Sequence, residues 1–144
     1  MENFQYELIS LFENMNNAYE EYAKSKNTTS FFLTVFKTVC MLGDGCTQKQ
    51  IPDLIRYPKQ SVNLAIKTFI KDGYIELWEN PRNRRSKQIF LTPSGKDFRK
   101  KTVDPLLKRE KFVFSQVAEN DTRKLVDLLK GYGKLYCSNI KEII

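Results

Sequence analysis

Residues 58–95 read PKQSVNLAIKTFIKDGYIELWENPRNRRSKQIFLTPSG, and this run separates into three consecutive pieces. In the first, Val62, Ile66, Phe69 and Ile70 recur at three- and four-residue spacing, which sets them on one face of a helix. Pro58 suits a first helical position, where a missing N–H costs nothing, and Asp72-Gly73 supplies a left-handed stop. The spacing therefore predicts a helix over 58–71. In the second piece, residues 74–79 and 87–92 alternate like strands around the turn formers Asn80, Pro81 and Asn83, predicting a hairpin with a tip of roughly six to eight residues. The third piece, Pro93-Ser94-Gly95, closes the hairpin, and the chain becomes helical again after it.

Working outward, Phe4, Leu8, Leu11, Phe12, Met15, Tyr19 and Tyr22 form one apolar stripe, so residues 2–25 read as a first helix. A break at 26–29 leads to Ser30, read as a cap, and then to FFLTVFKTVCML, which is apolar nearly all round and so predicts a buried helix. Gly43-Asp44-Gly45 ends it. Thr47 and Gln50 stand in the Thr-x-x-Gln spacing of a capping box, which opens a third helix made short or bent by Pro52. Beyond Gly95 a helix extends to about Val117, with Pro105 as a kink or late start. Asn120 and Asp121 are read as the cap of a last helix, whose stripe is Leu125, Leu128, Leu129, Tyr132, Tyr136, Ile140 and Ile143. The expectation is one domain over residues 1–144, mainly α with a small β-hairpin. A core over 28–100 is flanked by helical segments at 2–25 and 103–143.

Charge is unevenly spread. Residues 56–101 carry twelve Lys/Arg against four Asp/Glu, an excess of +8, so the rest of a chain of net +7 sums to −1. A basic sector of this kind is the footprint expected for a polyanion, because each phosphate neutralised releases counterions. The chain has no histidine, and Cys40, Cys46 and Cys137 form no CxxC pair, so common zinc sites and histidine-based catalysis are unavailable. No catalytic residue, metal or cofactor is expected. Acids near the N-terminus argue against a signal peptide and no apolar run has membrane-spanning length, so a cytoplasmic protein without membrane contact is expected.

If Val62, Ile66, Phe69 and Ile70 face inward, Lys59, Gln60, Ser61, Asn63 and Lys67 point outward. Gln and Asn can pair with two adenine edge atoms, Lys with guanine, and Ser with a base or a phosphate. The same face could be an ordinary solvated one. The loop tips the balance: Arg82, Arg84, Arg85 and Lys87 crowd a short turn where self-repulsion has no structural benefit. Arginine in a narrow minor groove gains from its negative potential, so the helix is assigned to the major groove and residues 80–87 to the minor. With Thr47 and Gln48 at the approach to the third helix, these eleven residues form the expected DNA-binding set.

At this level of detail the run from Thr47 to Gly95 resembles the winged helix of MarR-family transcriptional regulators. The matching residues are Thr47-Gln-Lys-Gln-Ile51, Ser61-Val62-Asn63, Asp72-Gly-Tyr-Ile75, Asn80-Pro-Arg-Asn-Arg-Arg85 and Leu91-Thr-Pro-Ser-Gly95. The resemblance implies a winged helix-turn-helix core, N- and C-terminal helices intertwined in a homodimer, and two wings flanking a palindromic operator. It departs at Asn83, where the family usually has an aspartate holding its key arginine, here Arg85, and at Pro52, which stands for a small residue.

Stripes at Phe4, Leu8, Leu11, Phe12 and Met15, and at Leu125, Leu128, Leu129, Tyr132, Tyr136, Ile140 and Ile143, would serve as the dimer interface. Folding onto the chain's own core is the other use for them. The resemblance also implies release of DNA by a small aromatic effector or by cysteine oxidation. Tyr6, Tyr19, Tyr22, Phe31, Phe32 and Phe36 could line an effector cleft, although aromatics at helical spacing are more often core. Cys46, beside Thr47 near a helix start, is the candidate for a lowered pKa, against a structural role. The leading function is a dimeric, sequence-specific repressor. A protein-interaction adaptor and a redox or ligand sensor with secondary DNA binding are the alternatives.

Overall fold

The computed structural model describes residues 2–144, with Glu2 described in its backbone alone. The elements are α1 (Glu2–Ser25), α2 (Ser30–Leu42), β1 (Cys46–Thr47), α3 (Gln50–Ile55), α4 (Lys59–Lys71), β2 (Ile75–Glu79), β3 (Lys87–Leu91), α5 (Pro93–Ser115) and α6 (Glu119–Lys141). They divide into two compact units, one ending at Pro105 and one running from Leu106 to Ile144, with α5 crossing the boundary. The architecture is mainly α with a small antiparallel sheet, as the sequence patterns predict.

In the first unit α2 is the buried post. Leu33, Val35, Phe36, Thr38, Val39 and Cys40 are buried along it, which accounts for a helix apolar on nearly every side. Its cap is Thr29 rather than Ser30: Thr29 is extended (φ −100°, ψ 157°) and its Oγ1 accepts the Phe32 N–H at 3.2 Å. A cap residue needs non-helical backbone, and Ser30 is already helical. Phe36, with no exposed surface, meets the rings of Phe69 (5.2 Å), Phe98 (5.0 Å) and Tyr74 (6.2 Å) edge-on, joining α2 to α4, α5 and the turn between α4 and β2.

The helix α4 buries Val62, Ala65, Ile66 and Phe69. Ile70 does not face the core as expected and is 40% exposed. At roughly 100° per residue it lies at the edge of the stripe, whereas Ala65 lies within it and needs little space. Pro58 is the residue before the helix, with ψ 135°, not its first turn. The helix ends in a Schellman arrangement: Tyr74 N–H donates to the Phe69 carbonyl at 2.9 Å and Gly73 N–H to Ile70 at 3.0 Å, with Gly73 at φ 75°.

The hairpin pairs Ile75 with Leu91 through Glu79 with Lys87, leaving residues 80–86 as its tip. A strand absent from the sequence reading, β1, pairs Cys46 with Ile89 and Thr47 with Gln88, so β3 is central in the order β1-β3-β2. Two residues cannot display a period. Gly45 N–H donates to the Ile89 carbonyl at 2.8 Å, and Asp44 Oδ1 accepts the Leu91 N–H at 3.1 Å, so the glycine-rich turn itself continues the ladder.

Pro93-Ser94-Gly95 forms the first turn of α5 instead of preceding it. Thr92 Oγ1 accepts the Gly95 N–H at 2.9 Å and donates to the Gly73 carbonyl at 2.5 Å, which ties the helix start to the end of α4. The helix continues through Pro105. A Cβ on Gly95 would collide with the Tyr74 carbonyl oxygen. Glycine is obligatory there.

In the second unit, α6 follows a turn in which Gln116 N–H donates to Val113 at 3.1 Å. Asn120 and Asp121 lie inside the helix and do not cap it; Ala118 precedes the first turn, and Glu119 and Asp121 there complement the helix dipole. None of the α6 side chains is buried. In the first unit, Gly95→Ala should destabilise the protein by about 1–3 kcal/mol or more, because its Cβ would displace the Tyr74 carbonyl. Thermal unfolding followed by circular dichroism checks this, and an unchanged midpoint would contradict the close approach.

Candidate nucleic-acid interface

The first turns of α4 present Lys59, Gln60 and Asn63 to solvent, with Lys67 further along and Ser61 partly covered. Their direction follows from burial of Val62, Ala65, Ile66 and Phe69 on the other side. Leu64, 60% exposed, stands on the outward side too, an apolar group that polarity-based reading passes over.

Half of the expected capping box forms. The Thr47 N–H donates to Gln50 Oε1 at 2.7 Å, but α3 begins only at Gln50 with Lys49 before it, so the Thr47 hydroxyl also turns to Gln50, at 3.3 Å. This fixes the turn that carries Gln48. Gln48 Nε2 donates to Asn63 Oδ1 at 3.2 Å, joining the approach to α3 with α4. The short helix then ends at Arg56, which takes a left-handed backbone at φ 50° and donates its N–H to the Pro52 carbonyl at 2.9 Å.

The hairpin tip is two successive turns of the same construction. Asn83 N–H donates to the Asn80 carbonyl at 3.1 Å and Ser86 N–H to the Asn83 carbonyl at 3.0 Å. Each turn is closed by its own asparagine: Asn80 Oδ1 accepts the Arg82 N–H at 3.0 Å, and Asn83 Oδ1 accepts the Arg85 N–H at 3.1 Å. Asn83 thus holds the backbone of Arg85 and not its guanidinium. Arg82, Arg84, Arg85 and Lys87 are all exposed on this braced loop.

Between the approach turn and the hairpin lies a cleft of about 430 Å³, lined by Gln48, Lys49, Leu77, Asn83, Arg85, Ser86 and Lys87. Three of these are cations and none is an acid. Lys49, Leu77 and Ser86 lie outside the expected DNA-binding set. The cleft exists only where two segments some thirty residues apart in sequence meet, which no local pattern displays.

Solved structures carry the comparison, since no family model and no curated protein matches the chain. A MarR family regulator from Neisseria meningitidis superposes with a TM-score of 0.76 at 23% identity, over 96% of this chain and 96% of that one. The chain has the MarR fold. The transcription regulator MarR from Oenococcus oeni gives a TM-score of 0.72 at 12% identity, over 89% of this chain and 97% of its own. A mutant of S. aureus MepR bound to an oligodeoxyribonucleotide gives 0.55 at 19% identity, over 94% and 98%. In this MarR fold the hairpin is the wing and α4 the second helix of the helix-turn-helix.

The aromatic residues considered for an effector cleft are mostly engaged in packing. Phe36 is in the core, Phe31 meets Tyr57 at 4.9 Å, and Phe32 meets Phe69 at 5.8 Å. Tyr22 donates its hydroxyl hydrogen to the Thr102 carbonyl at 2.7 Å and Tyr19 Oη accepts from Thr34 at 3.1 Å, while Tyr6 is exposed. The lowered pKa considered for Cys46 is overturned. Burial, with Asp44 nearby, pushes its thiol up, and burial pushes Cys40 up to about 12. Both should resist maleimide in the native protein at pH 8 and react on unfolding, as read by mass spectrometry; rapid native labelling of Cys46 would contradict its burial. Among the described residues no cluster could hold a metal ion, and no helix is long and apolar enough to cross a membrane.

Proposed function

We propose that the chain is a dimeric, sequence-specific DNA-binding transcriptional regulator that represses by occupying an inverted-repeat operator. The observation that carries this reading is the acid-free cleft between the approach turn and the wing, flanked on one side by the polar face of α4 and on the other by the arginine tip. A duplex laid across these features puts α4 in the major groove and residues 80–87 in the minor groove. The phosphodiester strand that separates the two grooves then runs through the cleft, past Lys49, Arg85 and Lys87. Leu77 offers its apolar surface to a sugar. The oligodeoxyribonucleotide bound by the MepR mutant of the same fold supports the reading.

In this proposal Thr47, Gln48, Lys59, Gln60, Ser61, Asn63 and Lys67 act from the helices and Arg82, Arg84, Arg85 and Lys87 from the wing. Residues 28–100 are the DNA-binding core, and 2–25 and 103–143 are the dimerisation segments. Large apolar side chains left in solvent support a second copy: Phe4, Leu11 and Met15 on α1, and Leu128, Leu135 and Tyr136 on α6, are each more than half exposed. A two-fold dimer sets its recognition helices about 34 Å apart, which calls for inverted half-sites one DNA turn apart or a multiple of it.

Selection of bound sequences from random duplexes should return such an inverted repeat; recovery of no preferred sequence would refute the proposal. Arg85→Ala should weaken operator binding by about 1–3 kcal/mol and relax preference in the flank, whereas Lys67→Ala and Lys49→Ala should each lower the salt slope by about 1. Binding isotherms at several salt concentrations measure this, and unchanged affinity in all three would reject the docking. Leu128→Glu should convert the dimer to monomer in sedimentation, since a charge on that face is harmless only if nothing covers it.

A further inference from the structure

Exposed asparagine amides are rotationally soft, because the torsion that turns the amide plane is broad and roughly two-fold. The two ends are chemically opposite, one a donor and one an acceptor, so an amide that turns freely reads no base well. Asn63 is exposed on α4, yet its Oδ1 is engaged by Gln48 Nε2 at 3.2 Å. Gln48 is partly covered, and the turn that carries its backbone is closed by the Thr47 N–H to Gln50 Oε1 bond at 2.7 Å. The donor is thus fixed to one segment and the acceptor to another.

Resting on the DNA-binding reading above, we propose that Gln48 is a positioning residue whose bond to Asn63 fixes which end of the Asn63 amide faces the groove, and so sets base preference at one position of each half-site. With the Gln48 amide presenting its Nε2 to Oδ1 at 3.2 Å, the Asn63 carbonyl is drawn toward Gln48 and its Nδ2 is turned to the other side. An adenine edge needs the amide in one order, oxygen on N6 and nitrogen on N7; the reverse order sets donor against donor and acceptor against acceptor. Removing Gln48 frees the amide. Replacing it with glutamate supplies only acceptors, and the Asn63 amide must turn its Nδ2 toward the carboxylate instead.

The test is sequence selection from random duplexes with the full chain as wild type, Asn63→Ala, Gln48→Ala and Gln48→Glu, scoring preference at each position as a ratio so that a change in overall charge cancels. Asn63→Ala identifies the position read by Asn63. At that position Gln48→Ala should lower preference by about fivefold or more, and Gln48→Glu should change the preferred base, with other positions unaltered. Preference unchanged in Gln48→Ala, or lost at a different position from that of Asn63→Ala, would overturn the assignment and leave the DNA-binding reading intact. Absence of any preferred sequence in the wild type would overturn both. Far-ultraviolet circular dichroism and a thermal midpoint unchanged from wild type confirm that each variant is folded.

Discussion

Burial of the Phe36 ring is the constraint on which the rest of the first unit depends. It joins α2 to Phe69 of α4, to Tyr74 in the turn before the hairpin and to Phe98 of α5, with Tyr74 and Phe98 stacked at 4.4 Å. Burying such a ring is worth about 1.5–3 kcal/mol, and each aromatic pair adds about 0.5–1.5 kcal/mol. Through it α4, the root of the wing and the helix after the wing share one anchor. The position of α4 relative to the hairpin is therefore set by the core and not by the polar residues that face outward.

A second constraint acts at the seam between these elements. Thr92 bonds both Gly73 and Gly95, and Gly95 lies so close to the Tyr74 carbonyl that no side chain fits. The hairpin leaves α4 and returns to α5 at nearly the same point, which leaves its far end as the part free to project. There the two asparagine-closed turns give the arginines a defined backbone. An aspartate at 83 could accept the same backbone bond and add charge. Asparagine accepts it with no negative charge beside the three arginines.

The two halves of the chain rest on different physics. The first unit closes on its own core, and Ala23 at the end of α1 is buried in it. The second contains a 23-residue helix with no buried side chain, although Leu125, Leu128, Leu129, Tyr132 and Tyr136 repeat along it. Periodicity shows that a helix has an apolar stripe. It does not say what the stripe touches.

Patterns that repeat within a single element were legible in the sequence: the stripes of α1, α4 and α6, the all-round apolar character of α2, the hairpin and its turn formers, and the concentration of positive charge over residues 56–101. Each depends on the helical or strand period, or on composition, and needs no distant partner. What escaped depends on contacts between segments. The strand β1 exists because β3 lies beside it, Ala65 is buried where Ile70 stays 40% exposed, and Cys46 is buried within the small sheet. The Gln48–Asn63 bond and the cleft holding Lys49 are of the same kind. The sequence by itself determined the elements, their apolar faces and the basic sector, since those are local. Only the tertiary structure decided which polar groups meet, because hydrogen bonds and clefts between elements depend on packing that no local pattern encodes.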